Sequence, residues 1–172
     1  MFDFADGQTA LGQRAIDDEI AARDPARDRT CKKMPRRCFN YVHASAPLMM
    51  KQDTGGRIIS ISSINALSGG VISAVSKHAY AAAKAGILGL TRSLAKELGP
   101  KVAVNAICPG IIATNLLGGL LTDRKAELEA GIAMGRVGTP EDVASIVRYL
   151  AVEAHMVMTG QHFVVDGFQW SC

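Results

Sequence analysis

The sequence predicts an α/β domain holding part of a doubly wound parallel sheet with flanking helices. Residues 57–62 and 102–107 are short runs rich in isoleucine and valine, as strands covered on both faces of a parallel sheet tend to be. Between them, residues 77–98 carry alanines with Leu90, Leu94 and Leu98 at helical spacing. Strand, long helix, strand is the crossover unit of a parallel sheet and is almost always right-handed.

Size and charge narrow the class. A chain of 172 residues, 48% hydrophobic, suits one domain with a buried core. A net charge of +3, scattered along the chain, argues against nucleic acid as a partner and for small-molecule chemistry. The absence of an apolar run of about 18 residues argues against a membrane span. Asp3 and Asp6, with no uncharged apolar run beside them, fit neither a secretory signal nor a transit peptide. Cys31, Cys38, Cys108 and Cys172 show no CxxC pairing and read as reduced thiols. A cytoplasmic protein is expected.

In chain order, residues 1–38 hold 15 of the 35 charged side chains, so they are expected to be a weakly structured leader, save for a short helix at 15–22. The folded part is then residues 39–172. Residues 39–50 are apolar on more than one side and predict a buried helix containing Pro47. Asp53-Thr54-Gly55-Gly56 is a turn into the first strand, and Gly69-Gly70 marks a loop. Gly99-Pro100 stops the long helix before the second strand. Residues 115–135 mix glycines, leucines and a charged amphipathic piece, the composition of a mobile lid. Thr139 is placed as N-cap of a helix over 140–153, with Glu141 and Asp142 in its first turn, and residues 161–165 make the last strand.

Tyr80 and Lys84 lie four positions apart on the long helix and so share one face. A neighbouring cation favours the phenolate, which would let a tyrosine act as proton donor or acceptor, although an i, i+4 pair alone is more often an ordinary surface pair. Ser62 and Ser63 end one strand, Tyr80 and Lys84 open the next helix, and Pro109-Gly110 ends the following strand. All converge on one sheet edge, where parallel sheets bind ligands.

With this convergence the sequence resembles the short-chain dehydrogenase/reductase family. The resemblance runs through residues 56–63, Tyr80-Ala81-Ala82-Ala83-Lys84, Val104-Asn105-Ala106-Ile107-Cys108-Pro109-Gly110, Thr114, residues 136–144, Thr159-Gly160-Gln161 and Asp166-Gly167. It covers about residues 39–168 and implies a Rossmann-like fold. It further implies an oxidoreductase using NAD or NADP on an alcohol/carbonyl pair. In that scheme Tyr80 is the acid/base, Lys84 lowers its pKa and holds the nicotinamide ribose, and Ser63 bonds the substrate oxygen, with Ser62 as fallback. Pro109, Gly110 and the Ile112 backbone would line the nicotinamide, and the Thr114 hydroxyl would reach its carboxamide or the pyrophosphate. Asn105 reads as structural. Relative to the family, residues 68–77 look like an insertion near the substrate mouth. Trp170, beside Phe168, lies where the family often makes subunit contacts, although local packing is the commoner role for such a residue.

The glycine-rich strand–turn–helix that receives a dinucleotide's pyrophosphate has no counterpart in the sequence, since Gly7 and Gly12 follow no apolar strand. Met34 stands near the place of the family's proton-relay asparagine. The expected fold is therefore partial, truncated at the N-terminus, with the edge at 57–62 exposed, and residues 1–38 are expected to come from a displaced frame or shortened gene. No metal site is assigned, because the four histidines show no recognisable ligand spacing. The rival reading is an inactive fragment serving as an oligomerisation or interaction module. Helices apolar on two faces favour a homo-oligomer in either case. A keto-acyl reductase is a further possibility within the enzyme reading.

Overall fold

The structure, a computed structural model, describes residues 25–69, 78–115 and 118–169. Helix α1 (Pro25–Lys51) leads into strand β1 (Gly56–Ile61) and a single turn of helix, α2 (Asn65–Ser68). Helix α3 (His78–Leu98), strand β2 (Val102–Pro109) and helix α4 (Gly118–Ala130) follow. Helix α5 (Pro140–Arg148) widens into a π turn (Tyr149–Glu153), closed by the Ala154 amide donating to the Tyr149 carbonyl, and strand β3 (His162–Val165) ends the fold.

The three strands among the described residues are parallel, in the order β1-β2-β3. Gly56 pairs with Val102 and Ile61 with Ile107, while Ala106 pairs with His162 and Pro109 with Val165. Strand β2 is central, and its residues from Val102 to Cys108 are all buried. Successive side chains alternate between the two faces. Val102 and Val104 pack with Ile58, Val42 and Ala46 of α1, and Leu94 and Leu98 of α3. On the opposite face Ile107 packs with Leu150 and Ala154, flanked by Ile59, Ile146 and Phe163. Helices thus cover both faces, the layering expected from the sequence.

Several boundaries and environments differ from the sequence reading. Residues 25–38 are helical, so the compositional break at 38 falls inside α1. Charge density disfavours a core but not a helix, because Arg, Lys and Met are all good helix formers. Nor is the 39–50 stretch a buried helix: Val42 and Ala46 are buried, but Phe39, Tyr41, Leu48 and Met50 are exposed. Its second apolar side faces away from the only layer that covers it among the described residues. The expected helix at 15–22, most of the 68–77 insertion and Trp170 lie outside the described residues.

Thr139 caps α5 as expected. Its Oγ1 accepts from the Asp142 amide at 3.4 Å, while Asp142 accepts from the Thr139 amide at 2.8 Å. Arg136 adds two hydrogen bonds to the same carboxylate, at 2.7 and 3.0 Å. Together these partners hold the Asp142 carboxyl well below the usual carboxylate range, the Arg136 hydrogen bond contributing most. Asn105 proves to be a clamp: its Nδ2 donates to the Met158 carbonyl at 2.7 Å and its Oδ1 accepts from the Gln161 amide at 3.0 Å. It ties the loop before β3 to the central strand. Among the described residues no helix is long and apolar enough to cross a membrane.

Candidate active site

The C-terminal ends of β1 and β2 are laced together where the predicted site residues lie. The Ser62 amide donates to the Ile107 carbonyl at 2.7 Å, and the Ile64 amide to the Pro109 carbonyl at 3.0 Å. Helix α3 is pinned to this corner by Ser62, whose hydroxyl donates to the Lys84 carbonyl at 2.8 Å. Ser62 is therefore a buried strut between strand and helix. Ser63, one position on, accepts from the Asn65 amide at 3.2 Å and so opens α2. That bond uses an oxygen lone pair and leaves the Ser63 O–H proton available.

Lys84 is only 7% exposed. Its Nζ donates to the Ile61 carbonyl at 2.9 Å and stands 5.6 Å from the centre of the Tyr80 ring. Among the described residues no carboxylate pairs with it. Burial lowers its pKa from the ordinary 10.5, opposed in part by Cys108 and then Cys38. With one acceptor among the described residues, the ammonium has two further N–H donors to offer a ligand. Cys108, missed as a site neighbour in the sequence, lies fully buried beside it. Burial pushes its thiol up from 9.0 against the hydrogen bond with Ser62, so it stays a neutral packing group.

The turn after β2 is held from behind. The Gly110 amide donates to the Val165 carbonyl at 2.9 Å, and the Ile111 amide to Oε1 of Gln169 at 3.0 Å. A Cβ on Gly110 would sit 2.7 Å from the Asp166 Cβ, so packing against residues 166–169 already demands glycine there. Gln169 was not picked out in the sequence; only the adjacent Asp166-Gly167 gave a signal. Ile112 forms an isolated parallel bridge with Gly138, and Thr114 follows as an exposed residue. Ser63, Tyr80, Lys84 and Pro109 are thus gathered at one corner. Ile112 and Thr114 lie along the next loop, with no described contact to Tyr80 or Lys84.

Comparison with known proteins agrees with this architecture. The sequence model of the family described as enoyl-(acyl carrier protein) reductase matches residues 24–167. A 3-oxoacyl-[acyl-carrier-protein] reductase of Chlamydia muridarum is 42% identical over 130 residues, which is 75% of this chain and 50% of that protein. A solved 3-oxoacyl-[acyl-carrier protein] reductase of Brucella melitensis superposes with TM-score 0.70 at 34% identity, over 78% of this chain and 49% of the other. Another from Brucella melitensis, with bound NAD, gives 0.65 at 33% identity over 78% and 48%. The chain spans about half the length of the curated relatives it matches. With a family match over most of its residues, and with its parallel sheet and Tyr80/Lys84 corner, the chain belongs to the short-chain dehydrogenase/reductase family of oxidoreductases.

Proposed function

We propose that the chain carries the chemical half of an NAD- or NADP-dependent reductase that interconverts a carbonyl and an alcohol, with a 3-oxoacyl thioester as the favoured substrate class. The observation that carries the reading is the buried, acid-free Lys84 ammonium beside Tyr80. Burying an unpaired charge costs several kcal/mol, and a ligand presenting hydroxyl acceptors to its two spare donors would offset that. A ribose diol has this chemistry. The corner residues therefore fit the nicotinamide-ribose end of a dinucleotide, whereas no glycine-rich turn for the pyrophosphate occurs among the described residues.

When bound, the cofactor supplies the hydride exchanged with the carbonyl carbon. The chain's own residues do the rest. The Ser63 hydroxyl donates to the carbonyl oxygen and orients it. Tyr80 hands its phenolic proton to that oxygen as the alcohol forms, and the Lys84 ammonium stabilises the negative charge left on the ring oxygen. Pro109, Gly110 and the Ile112 backbone would flank the nicotinamide, with Thr114 reaching its carboxamide or the pyrophosphate. The substrate class rests on the reductases named above as relatives. We further place this activity in the cytoplasm and in a homo-oligomer, consistent with the apolar residues exposed on α1. An inactive interaction module is the weaker reading, since it gives no reason for a buried ammonium beside Tyr80.

The test is titration of the chain with NADH and NADPH by cofactor fluorescence, then turnover of a 3-oxoacyl thioester and a panel of ketones. Saturable binding is expected, with Tyr80→Phe lowering turnover by about 10²–10⁴. Failure of a folded chain to bind either cofactor, or turnover indifferent to Tyr80→Phe, would overturn the reading.

A further inference from the structure

We infer that Gln169 is a positioning residue for the cofactor: its side-chain amide oxygen fixes the one peptide plane of the turn after β2 that has no backbone partner among the described residues, and so sets the face this turn presents to the nicotinamide. The inference rests on the proposed reductase reading and adds to it a residue outside the Tyr80/Lys84 corner.

The turn is held plane by plane. A trans peptide is flat, with its N–H and C=O pointing in opposite directions, so anchoring either group orients the whole unit. In the unit joining Pro109 and Gly110, the Gly110 amide donates to the Val165 carbonyl at 2.9 Å and the Pro109 carbonyl accepts from the Ile64 amide at 3.0 Å. In the unit joining Ile111 and Ile112, the Ile111 carbonyl accepts from the Gly138 amide at 2.9 Å; in the next, the Ala113 amide donates to the Gly138 carbonyl at 2.8 Å. The unit between, joining Gly110 and Ile111, has its N–H on Oε1 of Gln169 at 3.0 Å. Every unit from 109 to 113 is therefore anchored, and only this one depends on a side chain for its N–H.

What the anchors leave over is a matched pair. The Ile112 N–H lies opposite the Ile111 carbonyl, and the Ile112 carbonyl opposite the Ala113 N–H, so both point away from Gly138. Neither is hydrogen-bonded among the described residues. A donor beside an acceptor complements a carboxamide, which offers one oxygen acceptor and two N–H donors. Where that pair stands relative to Tyr80 and Lys84 depends on the direction in which the chain leaves Gly110, and the plane held by Gln169 sets it.

Residues 166–169 bring the amide oxygen into place. The Asp166 carboxylate accepts from the Phe168 amide at 2.9 Å and from the Gln169 amide at 3.2 Å, folding the chain back on itself. Gly167 and Phe168 both take left-handed backbone, with φ of 64° and 61°. A non-glycine residue in that region is unfavourable and persists only where its surroundings hold it, as the Asp166 carboxylate does here. Gly110 completes the fit, because a Cβ on it would lie 2.8 Å from the Gln169 oxygen.

The test pairs amide exchange with cofactor binding. Gln169→Leu removes the acceptor, whereas Gln169→Glu keeps an oxygen at the same reach. In the unliganded chain the Ile111 amide should exchange with deuterium about tenfold faster in Gln169→Leu, with the Gly110 and Ala113 amides unchanged, and should stay protected in Gln169→Glu. By calorimetry, whichever of NADH and NADPH the parent binds should bind about tenfold more weakly to Gln169→Leu. The 3-acetylpyridine analogue of that cofactor, whose methyl ketone lacks the carboxamide N–H donors, should lose less, so the preference for the natural cofactor shrinks. Gln169→Glu should keep the parental preference. A folded Gln169→Leu chain with parental exchange at Ile111, or with parental preference between the two cofactors, overturns the inference and leaves the reductase reading standing. If Gln169→Leu does not fold, Gln169→Asn, one methylene too short for the bond, is read in the same way. Failure of the parent to bind either natural cofactor sinks the reductase reading, and the cofactor role of Gln169 with it.

Discussion

Replacing Lys84 with methionine tests whether the buried ammonium is a stabilising feature or a functional group held at a cost. The side chain is only 7% exposed, has one protein acceptor, and has no carboxylate partner among the described residues. Methionine fills a similar volume without the charge. It removes a desolvation penalty of several kcal/mol and forfeits one charge-assisted hydrogen bond of about 1.5–3 kcal/mol. The Ile61 carbonyl left behind lies at a half-exposed residue and is expected to turn to water. The net expectation at pH 7 is a change between neutral and about 2 kcal/mol stabilising. The sign with pH follows from the lowered pKa. Below the folded-state pKa both states are charged and the native state bears the whole penalty. As pH rises through that value toward 10.5, the penalty is relieved, so the parent gains stability relative to the variant. Urea denaturation of both proteins at pH 7 and across the alkaline range measures the difference directly. A variant more than 2 kcal/mol less stable than the parent at pH 7, or a difference that does not shift as pH rises, would refute the assignment of burial as the dominant effect on Lys84.

Other perturbations separate packing from chemistry. Ile107→Val removes one methylene from a fully buried position beside Leu150 and Ala154; a loss of about 1 kcal/mol is expected in urea denaturation. Gly110→Ala places a methyl against the Asp166 Cβ and the Gln169 Oε1, at 2.7 and 2.8 Å, so thermal unfolding should report a cost of about 1–3 kcal/mol even without cofactor. Asn105→Ala breaks both clamps on the loop before β3 and leaves the Met158 carbonyl and the Gln161 amide without their partner; a loss of about 2–4 kcal/mol is expected, with faster exchange of the Gly160 and Gln161 amides. Asp142→Asn should remove a pH dependence. The native carboxyl titrates below its ordinary value of 3.8, so its contribution is full above that pH and is lost as pH falls toward the folded-state value. The parent's acid-denaturation curve should therefore approach that of the variant below about pH 4.

Read from the chain alone, the alternation of strands and helices was legible because its signals are local. Isoleucine and valine runs bounded by Gly55-Gly56 and Gly99-Pro100 mark β1 and β2, and Thr139 with Asp142 marks the start of α5. Strand ends shifted by a residue or two, the helix read as 39–50 began already at Pro25, and the helix over 140–153 became an α-helix closing in a π turn. The four-residue α2 went unseen because it is formed by the Ser63 hydroxyl and the end of β1, not by a periodic pattern. The pairing of Tyr80 with Lys84 was visible as spacing, since four residues are one helical turn wherever the helix sits. Sequence could thus determine the fold class and the family, and it nominated a short roster of candidate site residues.

Tertiary structure alone decided what those residues touch. Nothing in residues 39–50 says which apolar side meets a neighbour, because exposure depends on what else packs there; Val42 and Ala46 went inward while Tyr41 and Leu48 did not. Ser62 and Ser63 are chemically identical in sequence, and their division into strut and open hydroxyl comes from the direction each takes at the end of β1. Gly110 is read as a cofactor glycine, and only the fold shows that Asp166 and Gln169, more than fifty positions away, demand glycine there as well. Lys84 shows the limit most clearly: its charge and spacing are written in the chain, but its partner is the backbone carbonyl of Ile61 at the end of β1, and a contact between residues 23 positions apart exists only once helix and strand have packed.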